Sequence, residues 1–136
     1  MHYIFFTAEL ASALGRAGEA AQGLEAIDGA FARSERNQEG WCVAELLRIR
    51  GELTILEGAP AVAAAEGHFV EALDCARAQG ALSWELRAAT DLARLWRNQH
   101  RAAEARELLG SVYGRFTEGF NAADLREAKS LLKELD

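Results

Sequence analysis

Proline occurs once in the 136 residues, at Pro60, and cysteine twice, at Cys42 and Cys75. Two thiols cannot form the disulfide framework that holds small secreted domains together, and no Cys-x-x-Cys pair is present. They read as buried structural thiols in a cytoplasmic protein. Every stretch of about 20 residues, the length that crosses a bilayer, contains charge. The apolar start Tyr3-Ile4-Phe5-Phe6 lacks the basic residues of a signal peptide and is soon followed by Glu9, so it reads as part of a folded helix. Basic residues are outnumbered, 15 Lys+Arg against 21 Asp+Glu, and the formal charge of −6 argues against nucleic acid, which needs clustered Lys and Arg. His2, His68 and His100 fall on separate segments without metal-ligand spacing, so no metal or cofactor is expected. Ser12, Ser34, Ser83, Ser111 and Ser130 lack a nucleophile motif, and Glu104 and Glu107 read as solvated surface. The expectation is a protein without catalysis.

What is present is 50% apolar and 26% charged, enough for the core of one domain spanning 1–136. Strand signals are missing. Ala, Leu, Glu and Arg dominate, and apolar residues recur at three- and four-residue steps, so the fold class is all-α. Breaks at 15–18, 37–40, 58–60, 80, 98–100 and 118–121 give seven helical segments, about 3–16, 19–36, 40–57, 60–79, 82–99, 102–117 and 121–135.

These segments repeat. Ala11, Gly51 and Ala93 hold a small position in the first, third and fifth, at intervals of 40 and 42 residues. Ile27, Phe69 and Leu109 hold a large position in the second, fourth and sixth, at intervals of 42 and 40. Each large residue stands 24 before the next small one, and the single two-residue slip falls most economically at 58–61. Four residues before the large positions stand Gly23, Ala65 and Ala105, all small. Small residues on both helices of a pair let the backbones approach, and large ones fill the space toward the neighbouring pair. A period of this length marks stacked helical hairpins. The expected repeats are 3–36, 40–79 and 82–117, closed by a capping helix at 121–135, in a right-handed superhelix.

The small and large columns resemble those of the tetratricopeptide repeat, with a unit of 40 to 42 residues where that family commonly has about 34. Three stretches carry a narrower resemblance: Gly80-Ala81-Leu82-Ser83-Trp84-Glu85-Leu86-Arg87-Ala88-Ala89-Thr90, Leu92-Ala93-Arg94-Leu95-Trp96, and Tyr113-Gly114-Arg115-Phe116-Thr117-Glu118-Gly119-Phe120. They are similar to the closing region of large bacterial regulators in which class III nucleotide cyclase and NTPase modules precede a helical array. The likeness runs over about 41–135. It implies a regulatory array without its catalytic partner, since the chain is short and has no phosphate-binding glycine loop.

In such arrays the first helix of each hairpin lines a concave face. The register puts Phe5, Ser12 and Arg16 there in the first repeat, Glu45, Arg48 and Glu52 in the second, and Arg87, Thr90, Arg94, Arg97 and Asn98 in the third. Steps of seven and three residues bring Arg87, Arg94 and Arg97 to one helix face, where their planar forks suit a carboxylate or an acidic peptide end. Against this, Glu45, Glu52 and Glu85 are placed to neutralise them within the array. Tyr3, Ile4, Phe5 and Phe6 cannot all face inward from one helix, so a second copy, or a further helix of a longer chain, is expected to cover them. Three functions follow: a scaffold for a protein or peptide partner, a small-molecule sensor with an apolar cavity of about 300 Å³ or more, or an assembly element dimerising through the first helix.

Overall fold

Where Ala- and Leu-rich runs give way to Gly, Asn and His, the helices of the computed structural model end. It describes residues 18–37, 43–57, 62–119 and 122–135, and these are all-helical: α1 (Ala20–Asn37), α2 (Val43–Glu57), α3 (Val62–Gln79), α4 (Leu82–Asn98), α5 (Ala102–Tyr113) and α6 (Ala123–Leu135). Among the described residues there is no strand. The first segment, with Tyr3, Ile4, Phe5, Phe6, Ser12 and Arg16, lies outside the described residues, as does the slip at 58–61.

Two turns show how the sequence stops a helix. At the end of α3, Gly80 takes φ +65°, and the amides of Gly80 and Ala81 donate to the carbonyls of Arg77 and Ala76 at 3.1 and 2.9 Å. At the end of α4, His100 takes the same left-handed conformation, φ +64°, while the His100 and Arg101 amides donate to the Arg97 and Trp96 carbonyls at 3.1 and 2.8 Å. Both are the paired-bond C-terminal motif that satisfies the last carbonyls of a helix. α5 stops at Tyr113, earlier than the expected 117. From Arg115 on, amides bond three residues back, to Val112 and Tyr113, and Gly114 and Gly119 favour leaving the helix.

Each helix packs on the next in sequence, and α2 also packs on α4, and α4 on α6. No comparable pairing joins α1 to α3 or α3 to α5 among the described residues. Thus α2, α4 and α6 form one continuous layer. α2 buries Ala44, Glu45, Leu46 and Leu47 in succession, then Ile49, Gly51, Leu53 and Thr54, because it is covered on several sides. Leu46, Ile49 and Leu53 meet Ile27 and Ala30 of α1, whereas Leu47 joins the larger core of α3 to α6. α6 buries one stripe only, Leu125, Ala128, Leu131 and Leu135.

The small and large columns meet at Gly51 and Phe69. A Cβ built on Gly51 would lie 2.6 Å from Cε1 of Phe69, and that ring is 1% exposed. The large side chain of α3 therefore fills the notch of the helix directly before it, where the sequence pattern placed it toward the neighbouring pair. The other described members of these two columns are buried as well: Ile27, Ala93 and Leu109 are all 0% exposed.

Gly51→Ala gains about 1 kcal/mol of helix propensity, yet a methyl forced into a closed core costs about 1–3 kcal/mol, so a net destabilisation is expected. Gly67→Ala, in an exposed helical position with nothing within 4 Å of the added Cβ, is expected to stabilise. Urea denaturation of both variants checks the sign; a Gly51→Ala protein as stable as Gly67→Ala would contradict the packing.

Candidate functional site

The residues expected on the concave face come from α2 and α4, and the structure joins them into a ladder of ion pairs. On α2, Glu45, Arg48 and Glu52 stand at three- and four-residue steps and share one face. Arg48 donates to Glu45, to Glu52 Oε1 at 2.6 Å, and across to Asp91 Oδ2 of α4 at 2.9 Å. Arg87 of α4 spans the layer, donating to Glu45 Oε2 of α2 at 2.6 Å and to Asp124 Oδ2 of α6 at 2.8 Å. Arg94 donates to Asp91 Oδ1 at 3.1 Å and also to Glu127 of α6; Arg97 donates to Glu134 of the same helix. The guanidinium groups expected to meet an acidic ligand thus already hold carboxylates of the chain.

The remaining expected residues are placed differently. Thr90 is buried and its hydroxyl donates to the Leu86 carbonyl at 2.8 Å, within its own helix. Asn98 is exposed at the end of α4. Glu85, expected among the neutralising acids, faces away: two residues from Arg87, it points to the other side of α4. It is 1% exposed, and its Oε2 accepts from Arg77 at 3.0 Å and Arg115 at 2.8 Å.

Burial and charge compete along the ladder. For Arg48, burial acts to lower the pKa, but the charges of Glu45, Asp91 and Glu52 outweigh it and hold the guanidinium more firmly protonated than usual. For Arg87 the same burial is outweighed by the bonds and charges of Asp124 and Glu45. For Asp91 burial wins. Desolvation, reinforced by Glu52, pushes its carboxyl up to about 7 against the pull of Arg48 and Arg94.

Asp91 also faces a cavity of about 320 Å³ in the α2/α4 layer. Ile55, Leu56, Phe69 and Leu95 give it apolar walls, and Glu52, Asp91, Arg94 and Asn98 supply the polar groups. Phe69 forms part of this wall through the ring that rests on Gly51, so the small residue at 51 also shapes the cavity. Leu56 is 56% exposed, the most exposed large apolar side chain among the described residues.

A second hollow, about 370 Å³, lies between α4 and α5 beside Trp96, Glu104, Glu107, Leu108 and Ser111. Trp96 is half-buried against the core, and its indole N–H donates to Glu66 Oε1 at 2.7 Å. Arg101 stacks 4.6 Å over the ring and bonds Glu66 and Glu104, which ties the α4–α5 turn to α3. Burial and the neighbouring Glu71 and Asp74 push the Cys75 thiol up, which keeps it protonated. No group of three His, Cys, Asp or Glu converges as a metal site among the described residues, and none of their helices is long and apolar enough to cross a membrane.

No family model matches the chain, and no curated protein or solved structure is significantly similar to it. The site is therefore read from its own geometry.

Sequence reasoning missed Asp91, the cavity walls, and the acids of α6. Asp91 had a signal: it stands four residues after Arg87 and three before Arg94, on the arginine face. Asp124, Glu127 and Glu134 had none, because which face of α6 meets α4 depends on packing.

Because the folded Asp91 binds its proton more tightly than the unfolded residue, whose pKa is 3.8, its contribution to stability is present at low pH and is lost as pH rises through about 7. His68 acts in the opposite sense: burial and Arg50 lower its pKa, so its contribution is present above 6.5 and lost as pH falls. Asp91→Asn keeps the volume and removes one titration. The stability of this variant, compared with wild type by urea denaturation at pH 5 and pH 8, should fall less over that interval; an unchanged pH dependence would contradict the shifted carboxyl.

Proposed function

We propose that the chain is a non-enzymatic scaffold of the tetratricopeptide type that binds a protein or peptide partner through its α2/α4/α6 layer. In this reading α2 with α3 and α4 with α5 are successive hairpins, α6 caps them, and the stack is a short right-handed superhelix. The contact pattern supports this: α2, α4 and α6 pack in series while no comparable pairing joins α1 to α3 or α3 to α5 among the described residues, as in a curved stack with a closely spaced inner layer. The motif resemblance adds a regulatory role in bacterial signalling, and the low cysteine content fits a reducing, cytoplasmic setting. The observation that carries the binding role is the apolar cavity of about 320 Å³ in that layer, with Leu56 exposed beside it. Exposed apolar surface at a cleft with a few polar groups is the usual form of a recognition site.

The partner's anchor is one apolar side chain in this cavity. A second reading shares the same site: the cavity also reaches the lower size range of small-molecule pockets, so an apolar effector would fit. Panning a phage-displayed random peptide library on the purified chain, with Leu56→Glu as the counter-selecting protein, separates the two. Leu56 is exposed, so the substitution leaves the core intact. Peptides that bind wild type and fail on Leu56→Glu are the expected result. Peptides that ignore the substitution would contradict the site. Recovery of none, with a small-molecule adduct in native mass spectrometry of the wild type, would shift the assignment to the second reading.

A further inference from the structure

The acidic-ligand expectation rested on three arginines, and the ladder changes the sign of the surface they present. Among the described residues, the ladder holds Arg48, Arg87, Arg94 and Arg97 against Glu45, Glu52, Asp91, Asp124, Glu127 and Glu134. Carboxylates outnumber guanidiniums. They are also the more exposed partners at the α4–α6 edge: Glu127 and Glu134 are 55% and 54% exposed, against 37% and 34% for the arginines that bond them. An incoming carboxylate would have to displace an internal one from each guanidinium fork and would enter a field of like charge. An incoming ammonium or guanidinium meets carboxylates that retain acceptor capacity, since each such group offers about four lone-pair sites.

The cavity sits inside this acidic surround. Glu52 stands at its α2 side, and Arg94 on its α4 side leads directly to Glu127. Asn98, also on the lining, is next in sequence to Arg97, which holds Glu134. Apolar walls flanked by acids on two sides describe the complement of the occupant.

We infer that the occupant is a basic amphipathic segment of a partner protein, with an aliphatic or aromatic side chain seated between Leu56 and Leu95 and Lys or Arg residues pairing with Glu52 on one side and Glu127 and Glu134 on the other. This rests on the reading of the cavity as a peptide site and names the chemistry of what fills it. The whole chain, at −6, adds a long-range field of the same sign that speeds the approach of a basic segment at low salt.

The peptides recovered from the phage library by wild type and not by Leu56→Glu supply the probe. Synthesised with a fluorophore, they are titrated by anisotropy against wild type and against the double variant Glu127→Gln/Glu134→Gln, in 50 and 300 mM salt. Both glutamates are exposed, and a thermal melt confirms that the variant is folded. The expected peptides carry an apolar anchor with more Lys and Arg around it than the starting library. Their affinity should fall by about fivefold or more in the double variant and again with salt, as paired charges at an interface rim do. Anchored peptides with acidic or uncharged flanks, or affinities indifferent to the double variant, would overturn the basic partner while leaving the cavity as a peptide site. Failure of every peptide to distinguish Leu56→Glu would overturn the cavity reading itself. Self-association in sedimentation that Leu56→Glu abolishes would make the occupant a second copy and overturn the inference.

Discussion

Arg48 is the side chain on which the α2/α4 contact turns. It is 15% exposed, lies on α2, the first helix of the α2/α4/α6 layer, and holds two carboxylates of its own helix and one of α4. A guanidinium so far from water is stable only because those acids surround it, and Asp91 is tolerated in its buried place only because Arg48 and Arg94 are there. The pairing therefore selects a register between α2 and α4: one helical turn of slip would strand both charges. Apolar contact alone does not make that choice, because Leu and Ala recur along both helices at the same spacing.

The ladder and the core divide the labour of assembly. Within α2 and α3 the fit is steric, with the Phe69 ring lodged against the bare backbone of Gly51. Between α2, α4 and α6 ion pairs run beside the shared apolar core, through Arg48, Arg87, Arg94 and Arg97. The cavity arises where the two meet, since Phe69 forms one wall and Asp91 and Arg94 stand on another. Its Asp91 carboxyl, with a pKa near 7, makes the charge of that wall dependent on pH in the neutral range.

Much of the fold could be read before any coordinates. Gly80 and the 98–100 break marked real helix ends because a left-handed residue there satisfies the final carbonyls, whichever helices are neighbours. The Gly51, Ala93, Phe69 and Leu109 columns were legible because small and large residues at a fixed period have few other uses. The site was legible only in part. Spacing correctly gathered Glu45, Arg48 and Glu52 on one stripe, and Arg87, Arg94 and Arg97 on another, but spacing within a helix cannot say which stripes face each other. Hence the acids of α6, which decide the net charge of the layer, and Leu56 and Ile55, whose role is to wall a cavity, had to wait for tertiary packing. Thr90 shows the converse: at a helical step suited to the face, it turns its hydroxyl to the Leu86 carbonyl instead.

The most direct test of this account is a double-mutant cycle on Arg48 and Asp91, using Arg48→Met and Asp91→Leu, read by urea denaturation at pH 8, where Asp91 is largely ionised. Removing one partner of a buried pair leaves the other uncompensated, whereas removing both replaces the pair by apolar groups. The double variant is therefore predicted to lose less stability than the two single variants together, by about 1 kcal/mol or more. Losses that add within about 0.5 kcal/mol would mean that the two residues do not interact, and the α2/α4 register would then need another cause.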